Sequence, residues 1–378
     1  MSVLADWLVR QAPAWLEKAT APRPLAPHQC RALAAILRCR TPSLGGRVYR
    51  CTDCKGTDYA YHSCNHRACP RCGGSGTAEW TKEQEQKLLP VPYFFWTFTV
   101  PDTLRSAFAT QPELLANLLF STAFRALQSV ANRPDVLGAL VAGMAVLHTW
   151  GRQLQLHPHL HIIIPGGGLS FDGLRWVEPS DPTWFLPVKS VAAAFRLGFE
   201  ESLAAAAPAL HAAIPDSTWR KKWNVDVQAA GSGSAVVRYL ARYVKRMVIT
   251  DERIIEATEE SVRFHYKDSD TGETRGLTLD AEEFMRRYLQ HVPIHRQHRV
   301  RYFGWMHPSA KRRRMTVETL LRKLIVVSNE PVTPEQPDWS RLCPHCNQFT
   351  LEFYCEIKRG VLMLEKQKRR DRPRCASP

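Results

Sequence analysis

The chain has 378 residues, enough for about two or three domains with buried cores. Its 51 Lys and Arg against 36 Asp and Glu leave a net charge of +15, which favours a polyanionic partner, nucleic acid before an anionic membrane. The composition is that of a globular chain and excludes a disordered one; no run of about 18 apolar residues argues for a membrane span. The start, with Asp6 and no basic run ahead of an apolar stretch, does not read as a secretory signal. The expectation is therefore a cytoplasmic, nucleoid-associated protein. Eleven cysteines without such a signal point to a reducing compartment, where clustered cysteines are metal ligands or redox groups.

In chain order, Leu4, Leu8, Ala12 and Leu16 predict a first helix, Pro22 and Pro24 a joint, and residues 27–37 a second helix with proline in its first turn. Residues 41–46 read as a loop. Tyr93 to Val100, aromatic and β-branched and ended by Pro101, predicts a buried strand. Residues 103–131 have helical periodicity. Strands are expected at 143–150 and 154–164, joined as a hairpin by Gly151-Arg152-Gln153. Helix 188–207, strand 223–229, a Gly-Ser turn at 231–234 and helix 235–247 follow. Hairpin-like pieces at 248–280, a helix at 280–291 and a strand at 299–305 complete the pattern, before a strongly basic stretch beyond Pro308. This order predicts an α+β fold with an antiparallel sheet. The expected division is a helical and zinc-binding segment 1–90, a catalytic domain 91–310 and a basic C-terminal region 311–378.

Cys51-x2-Cys54 and Cys69-x2-Cys72 are two knuckles, and two such pairs can complete the tetrahedron of one structural Zn2+. Cys39, Cys64, His28 and His66 are left over nearby, either for a second ion or as unused side chains. Cys343-x2-Cys346, with Cys355 and Cys375, repeats the theme near the C-terminus.

Residues 157–161 read His-Pro-His-Leu-His, followed by three isoleucines. On a strand, His157, His159 and His161 share one face, and three imidazoles side by side are poor core material but common divalent-metal ligands. Farther on, Tyr239 and Tyr243 are four residues apart and share a helix face, beside a row of Arg238, Arg242 and Arg246. That pattern suits either amphipathic packing or a pair of nucleophiles next to phosphate-binding groups.

Together with Cys39-Arg-Thr-Pro-x-Leu-Gly-Gly46, Ser63-Cys64, Cys69-Pro70-x-Cys72, Phe95 to Pro101, His148-Thr-Trp-Gly151 and Phe264-His-Tyr-Lys-Asp268, these motifs carry a resemblance. From His28 to Lys311 the chain resembles the rolling-circle transposases of the insertion-sequence ninety-one type, within the HUH endonuclease superfamily. Arg47 stands where that pattern commonly has His, and His66-Arg67-Ala68 where it commonly has Asn-Arg-His.

The resemblance implies an antiparallel HUH core with helices on one face, preceded by a small zinc-knuckle domain. It implies that His159 and His161 bind a catalytic Mg2+ or Mn2+, with His157 the first choice for third ligand and Gln155 the second. It also implies that Tyr239 and Tyr243 are the paired nucleophiles of a metal-dependent single-strand endonuclease and strand transferase acting through 5′-phosphotyrosine. Single-stranded DNA and transposon ends are the expected partners, held by Arg238, Arg242, Lys245, Arg246, Lys311, Arg312, Arg313 and Arg314. Rival readings are a rolling-circle replication initiator or relaxase, a histidine-triad nucleotide hydrolase, and a non-catalytic zinc-dependent DNA-binding regulator.

Overall fold

The apolar patterns resolve into elements that, in the computed structural model, are described for residues 2–17, 25–181, 185–245, 247–268, 270–294, 297–322, 342–348 and 350–359. Helix α1 spans Val3–Glu17 and α2 Pro27–Arg38, the latter opened by proline where no backbone donor is lost. A hairpin that the pattern does not announce follows, β1 (Gly46–Cys51) and β2 (Thr57–Tyr61), and then α3 (Thr77–Glu85). After β3 (Tyr93–Thr99), the helix expected over 103–131 is split into α4 (Arg105–Thr110) and α5 (Pro112–Ala131). The cause is Pro112, which cannot continue a helical ladder but sits well at the first position of a new one. Strands β4 (Gly143–Trp150) and β5 (Leu156–Pro165) form the expected hairpin, followed by the short β6 (Gly168–Leu169) and β7 (Trp176–Val177).

Three helices come next, α6 (Val188–Ala206), α7 (Pro208–Ala212) and α8 (Ser217–Arg220), then β8 (Asn224–Ala229) and α9 (Ser234–Lys245). Strands β9 (Ile254–Ala257), β10 (Ser261–Lys267) and β11 (Thr274–Asp280) lead into α10 (Ala281–Gln290), where the Asp280 carboxylate caps the helix by accepting from the Glu283 N–H at 2.7 Å. Strand β12 (Val300–Phe303), helix α11 (Lys311–Arg322) and strand β13 (Leu351–Ile357) complete the order.

These elements fall into two units, one from residues 1–73, 250–260 and 328–378, the other from 74–249 and 261–327. The division departs from the three expected segments. Residues 74–90 and α11 go with the large sheet, while β13 returns to the first unit, pairing antiparallel with β1 in a sheet of order β13-β1-β2.

The large sheet of the second unit has the order β12-β4-β5-β3-β8 and is antiparallel throughout. Side chains alternate across it. On one face Phe94, Trp96, Phe98, Leu160, Ile162 and Ile164 are buried with the apolar stripes of α5 and α6. Each large apolar side chain buried there contributes about 1.5–3 kcal/mol. Helix α5 is long and apolar enough to cross a bilayer, but its stripe of Leu115, Leu119, Phe120 and Leu127 lies inside this core. The opposite face carries α9, whose Val237, Leu240 and Val244 pack on Tyr93, Met144, Val146 and Ile163, with Trp80 of α3 packed against the same cluster. The histidines and the tyrosine pair meet on that second face.

Candidate functional site

Strand register decides which histidines converge. His159 on β5 lies opposite His148 on β4, and His161 opposite Val146 on one side and Thr97 on the other. Beyond His148 the register shifts, so that Trp150 faces Leu156. One extra residue is thus accommodated in β5 at His157-Pro158, where Pro158 offers no N–H to the ladder. This bulge takes His157 out of the row. The cluster whose ring nitrogens all lie within 4.8 Å of one another is His148, His159 and His161. The expected third member, His157, keeps its ring beside His159 at 5.1 Å between centroids and contributes its carbonyl instead, which accepts from His159 Nδ1 at 2.7 Å. The second choice, Gln155, is also engaged elsewhere. Its Oε1 accepts from the Gln153 N–H at 3.0 Å within the hairpin turn.

The hydrogen bonds fix the rings. Because a carbonyl only accepts, His159 carries its proton on Nδ1 and leaves Nε2 bare, 3.2 Å from His148 Nδ1. Thr97 Oγ1 holds His161 Nδ1 at 3.1 Å. Burial holds all three histidines below the ordinary range, His159 at about 4 and His161 at about 3, so each is a neutral imidazole at neutral pH. His148 Nε2 is buried with no hydrogen-bond partner among the described residues. With a metal–nitrogen bond of about 2.1 Å, two ring nitrogens on one ion stand roughly 3.0–3.4 Å apart. The 3.2 Å separation and the neutral donor set therefore fit a divalent cation. Behind His148, Trp150 stacks on its ring at 5.2 Å, and the buried Arg299 guanidinium lies 5.6 Å from the Trp150 ring.

Helix α9 brings the tyrosines over this cluster. The Gly231–Ser234 turn starts it, and Gly233 has φ +80° with the Tyr93 ring 2.9 Å from where a Cβ would sit, so only glycine fits. The apolar positions Val237, Leu240, Ala241 and Val244 face the sheet. This phase sets Tyr239 and Tyr243 along one edge, ring centroids 4.8 Å apart. Tyr243 is 3.9 Å from the His148 ring and Tyr239 5.9 Å from His161. Burial, followed by the hydrogen bond with Tyr243, pushes the Tyr239 phenol above its ordinary pKa.

Among the expected DNA-contacting residues, Arg242 is exposed, whereas Arg238 is held by Glu85 of α3 at 2.8 Å. The side chains of Lys245 and Arg246 lie outside the described residues. Lys311, Arg312 and Arg313 are exposed on the first turn of α11, and Arg314 pairs with Glu318 at 2.9 Å. Arg152, at the β4–β5 turn, donates to the carbonyls of Lys267 and Asp268 at 3.0 and 2.9 Å and acts electrostatically on Tyr239. The sequence reading gave no role to His148, Thr97, Trp150 or Arg152. Hairpin register alone did not signal the first, since counting outward from the tight 151–155 turn sets His148 opposite Pro158, and only the extra residue in β5 brings it opposite His159.

In the first unit the cysteines form two quartets, Cys39-Cys64-Cys69-Cys72 and Cys51-Cys54-Cys343-Cys346. The expected single site of Cys51, Cys54, Cys69 and Cys72 is therefore corrected, for a geometric reason. Cys51 and Cys54 sit at the turn of the β1–β2 hairpin, while Cys39 and Cys64 flank its open end. Five residue steps of β1 separate the two ends by about 17 Å. Each knuckle thus takes its partners from its own end of the hairpin. In the first quartet Cys72 Sγ lies 3.4 Å from Cys39 and 3.6 Å from Cys64, whose thiol is pulled down to about 5, chiefly by a hydrogen bond from Cys69. His28 and His66 belong to neither quartet; His66 Nδ1 accepts from the Ala68 N–H at 3.1 Å. Cys355, on β13, is also outside both, and Cys375 lies outside the described residues.

The second unit is thus an antiparallel sheet carrying a histidine cluster under a tyrosine helix, and a cysteine-rich unit lies beside it in sequence. A family model described as "Putative transposase" matches residues 143–314, and one described as "Transposase zinc-binding domain" matches residues 8–100. Putative transposase y4qJ of Sinorhizobium fredii (strain NBRC 101917 / NGR234) is 32% identical over 361 residues, covering 87% of this chain and 90% of that protein. The transposase for insertion sequence element IS801 of Pseudomonas savastanoi pv. phaseolicola is 31% identical over 289 residues, covering 72% and 68%. No solved structure matches the chain. The chain belongs to the family of IS91-type transposases. Its substrate is accordingly DNA and its cysteine quartets suit structural zinc, which sets aside the histidine-triad hydrolase reading.

Proposed function

We propose that this transposase cuts and joins single DNA strands by a rolling-circle route, through 5′-phosphotyrosine intermediates on Tyr239 and Tyr243. The observation that carries the reading is the approach of the Tyr243 ring to within 3.9 Å of His148, with His159 and His161 beside it. His148, His159 and His161 would hold the divalent ion; when bound, Mg2+ or Mn2+ supplies Lewis-acid stabilisation of charge on a phosphate.

The chain's own residues do the rest. A free phenol is a weak nucleophile at neutral pH, and the burial that raises the Tyr239 pKa makes positioning decisive. Packing of α9 on the sheet, with the Tyr243 ring against His148 and the Tyr239 ring near His161, would let both phenols be positioned before substrate arrives. One tyrosine oxygen bonds to phosphorus as the bond from phosphorus to the 3′-oxygen breaks. The phenolic proton is lost and the released strand end gains one as its 3′-hydroxyl. The new phosphodiester link to tyrosine conserves the bond energy, so a 3′-hydroxyl can later reverse the step and join strands without ATP. A second tyrosine four residues away allows a second strand to be held while the first is resolved. Arg242, Arg152 and the 311–314 cluster would neutralise the backbone of an unpaired strand, giving salt-sensitive binding.

The test is an adduct assay with a single-stranded oligonucleotide carrying a terminus of the mobile element. In Mn2+ the oligonucleotide should shift with the protein on a denaturing gel and be released by protease. His159→Ala and His161→Ala should lose the adduct while retaining most DNA binding. Full adduct formation in either variant, or in the presence of chelator, would remove the metal from the reading.

A further inference from the structure

We propose that Cys51, Cys54, Cys343 and Cys346 hold a structural Zn2+ of their own, a clasp that fastens the segment from Cys343 to Ile357 onto the β1–β2 hairpin. The matched zinc-binding domain ends at residue 100, so half of this site lies far beyond it in sequence. The four ligand atoms lie within 4.8 Å of one another, with Cys51 Sγ 3.6 Å from Cys346 and Cys54 Sγ 3.6 Å from Cys343. Four thiolates about 2.3 Å from one zinc stand roughly 3.8 Å apart, whereas a disulfide needs about 2.05 Å. The spacing is that of a tetrahedral site.

The two knuckles also share a local shape despite their remoteness in the chain. Each is a Cys-x-x-Cys turn followed directly by a residue with left-handed backbone, Lys55 at φ +61° and Asn347 at φ +60°. In the first, the Cys54 N–H points at Cys51 Sγ at 3.4 Å; in the second, the Asn347 N–H closes onto the Cys343 carbonyl at 2.8 Å. Left-handed backbone is uncommon for lysine, while asparagine adopts it more readily. The four sulfurs of the two knuckles gather in one place. Next to them the Thr350 hydroxyl is 3.0 Å from Cys51 Sγ.

The clasp closes a loop that contains the entire second unit, residues 74–249 and 261–327. Strand β13 is a short edge strand whose Phe353 and Tyr354 are about 60% exposed, so a clasp just ahead of it adds to its pairing with β1. The two quartets also differ in access. In the first quartet Cys39, Cys69 and Cys72 are buried and Cys64 half-buried; in the second Cys51 and Cys343 are buried, Cys346 half-buried and Cys54 exposed. A chelator should reach the clasp first.

The test uses the full chain, purified without added metal, and its zinc content by atomic emission. Two ions per chain are expected. Cys346→Ser should carry one and should show faster hydrogen exchange across 351–357. A wild type with one ion, or a Cys346→Ser protein with two, would overturn the proposal, and a wild type with none would remove the zinc reading of the whole unit as well. Should the variant not be recovered folded, alkylation of the native wild type with peptide mass mapping decides. Graded chelation should expose Cys51, Cys54, Cys343 and Cys346 together, ahead of Cys39, Cys64, Cys69 and Cys72. Reaction of Cys343 and Cys346 in zinc-loaded protein while Cys51 and Cys54 stay protected refutes the clasp, as does a quartet that reacts only after reduction.

Discussion

Replacing His148 and His157 in parallel separates the register argument from the sequence pattern. His148→Ala removes a buried imidazole whose nitrogen stands 3.2 Å from His159 Nε2 and takes one of three donors from the cluster. Loss of a partner outside a metal's ligand shell costs about 10–100-fold in affinity, so loss of a ligand should cost at least about 100-fold. That is roughly 2.8 kcal/mol of binding at 1.4 kcal/mol per decade. His157 contributes to the cluster through its main-chain carbonyl, which alanine retains. His157→Ala should therefore bind Mn2+ within about threefold of wild type, well under the single decade that 1.4 kcal/mol represents. Isothermal titration with Mn2+ reads both, and thermal melts in chelator check that the folds are equal. A His157→Ala protein that loses the metal while His148→Ala keeps it would refute the bulge as the reason for the ligand choice.

Thr97→Val removes the hydroxyl on His161 Nδ1 but keeps the volume, and should weaken Mn2+ binding by about 10–100-fold in the same titration while hardly moving the melting temperature. Glu283 is held at about 2, chiefly by its hydrogen bond from Arg286. Its folded pKa lies below the unfolded one, so its contribution is complete above about pH 4.3 and disappears as pH falls toward 2. Glu283→Gln should cost about 1–2 kcal/mol at neutral pH, discounted for partial exposure, and converge with wild type in urea melts near pH 2. Gly233→Ala forces a side chain into φ +80° and against the Tyr93 ring, and should destabilise the second unit by about 1–3 kcal/mol in denaturant titrations.

The sheet was legible because its signals are local. Tyr93–Thr99 and Leu156–Pro165 announce themselves by β-branched and aromatic runs, and His159 and His161 by period-two spacing. The tyrosine helix was legible from its glycine-rich start and apolar stripe. What failed depends on residues far apart. A Cys-x-x-Cys pair states that a knuckle exists but not which knuckle completes it, and the answer lay in a hairpin rich in Arg, Tyr and Asp, Gly46–Cys51 with Thr57–Tyr61, that carries little apolar signal. Its other half came from a turn nearly three hundred residues on, Cys343 to Cys346, just ahead of β13. His157 was misplaced because a bulge at Pro158 breaks the period on which the reading relied. Helix α11 went unread because a run of four basic residues looks the same in a loop and on a solvated helical turn.

The central claim is that Tyr239 and Tyr243 become bonded to DNA. The most direct measurement traps the reaction of a single-stranded element end in Mn2+, digests protein and DNA, and maps the modified peptide by mass spectrometry. The account predicts a nucleotide joined through its 5′-phosphate to Tyr239 or Tyr243, with a free 3′-hydroxyl on the released strand, and no adduct in the Tyr239→Phe/Tyr243→Phe protein. An undiminished adduct in that double variant, or a nucleotide carried on a histidine, would contradict it.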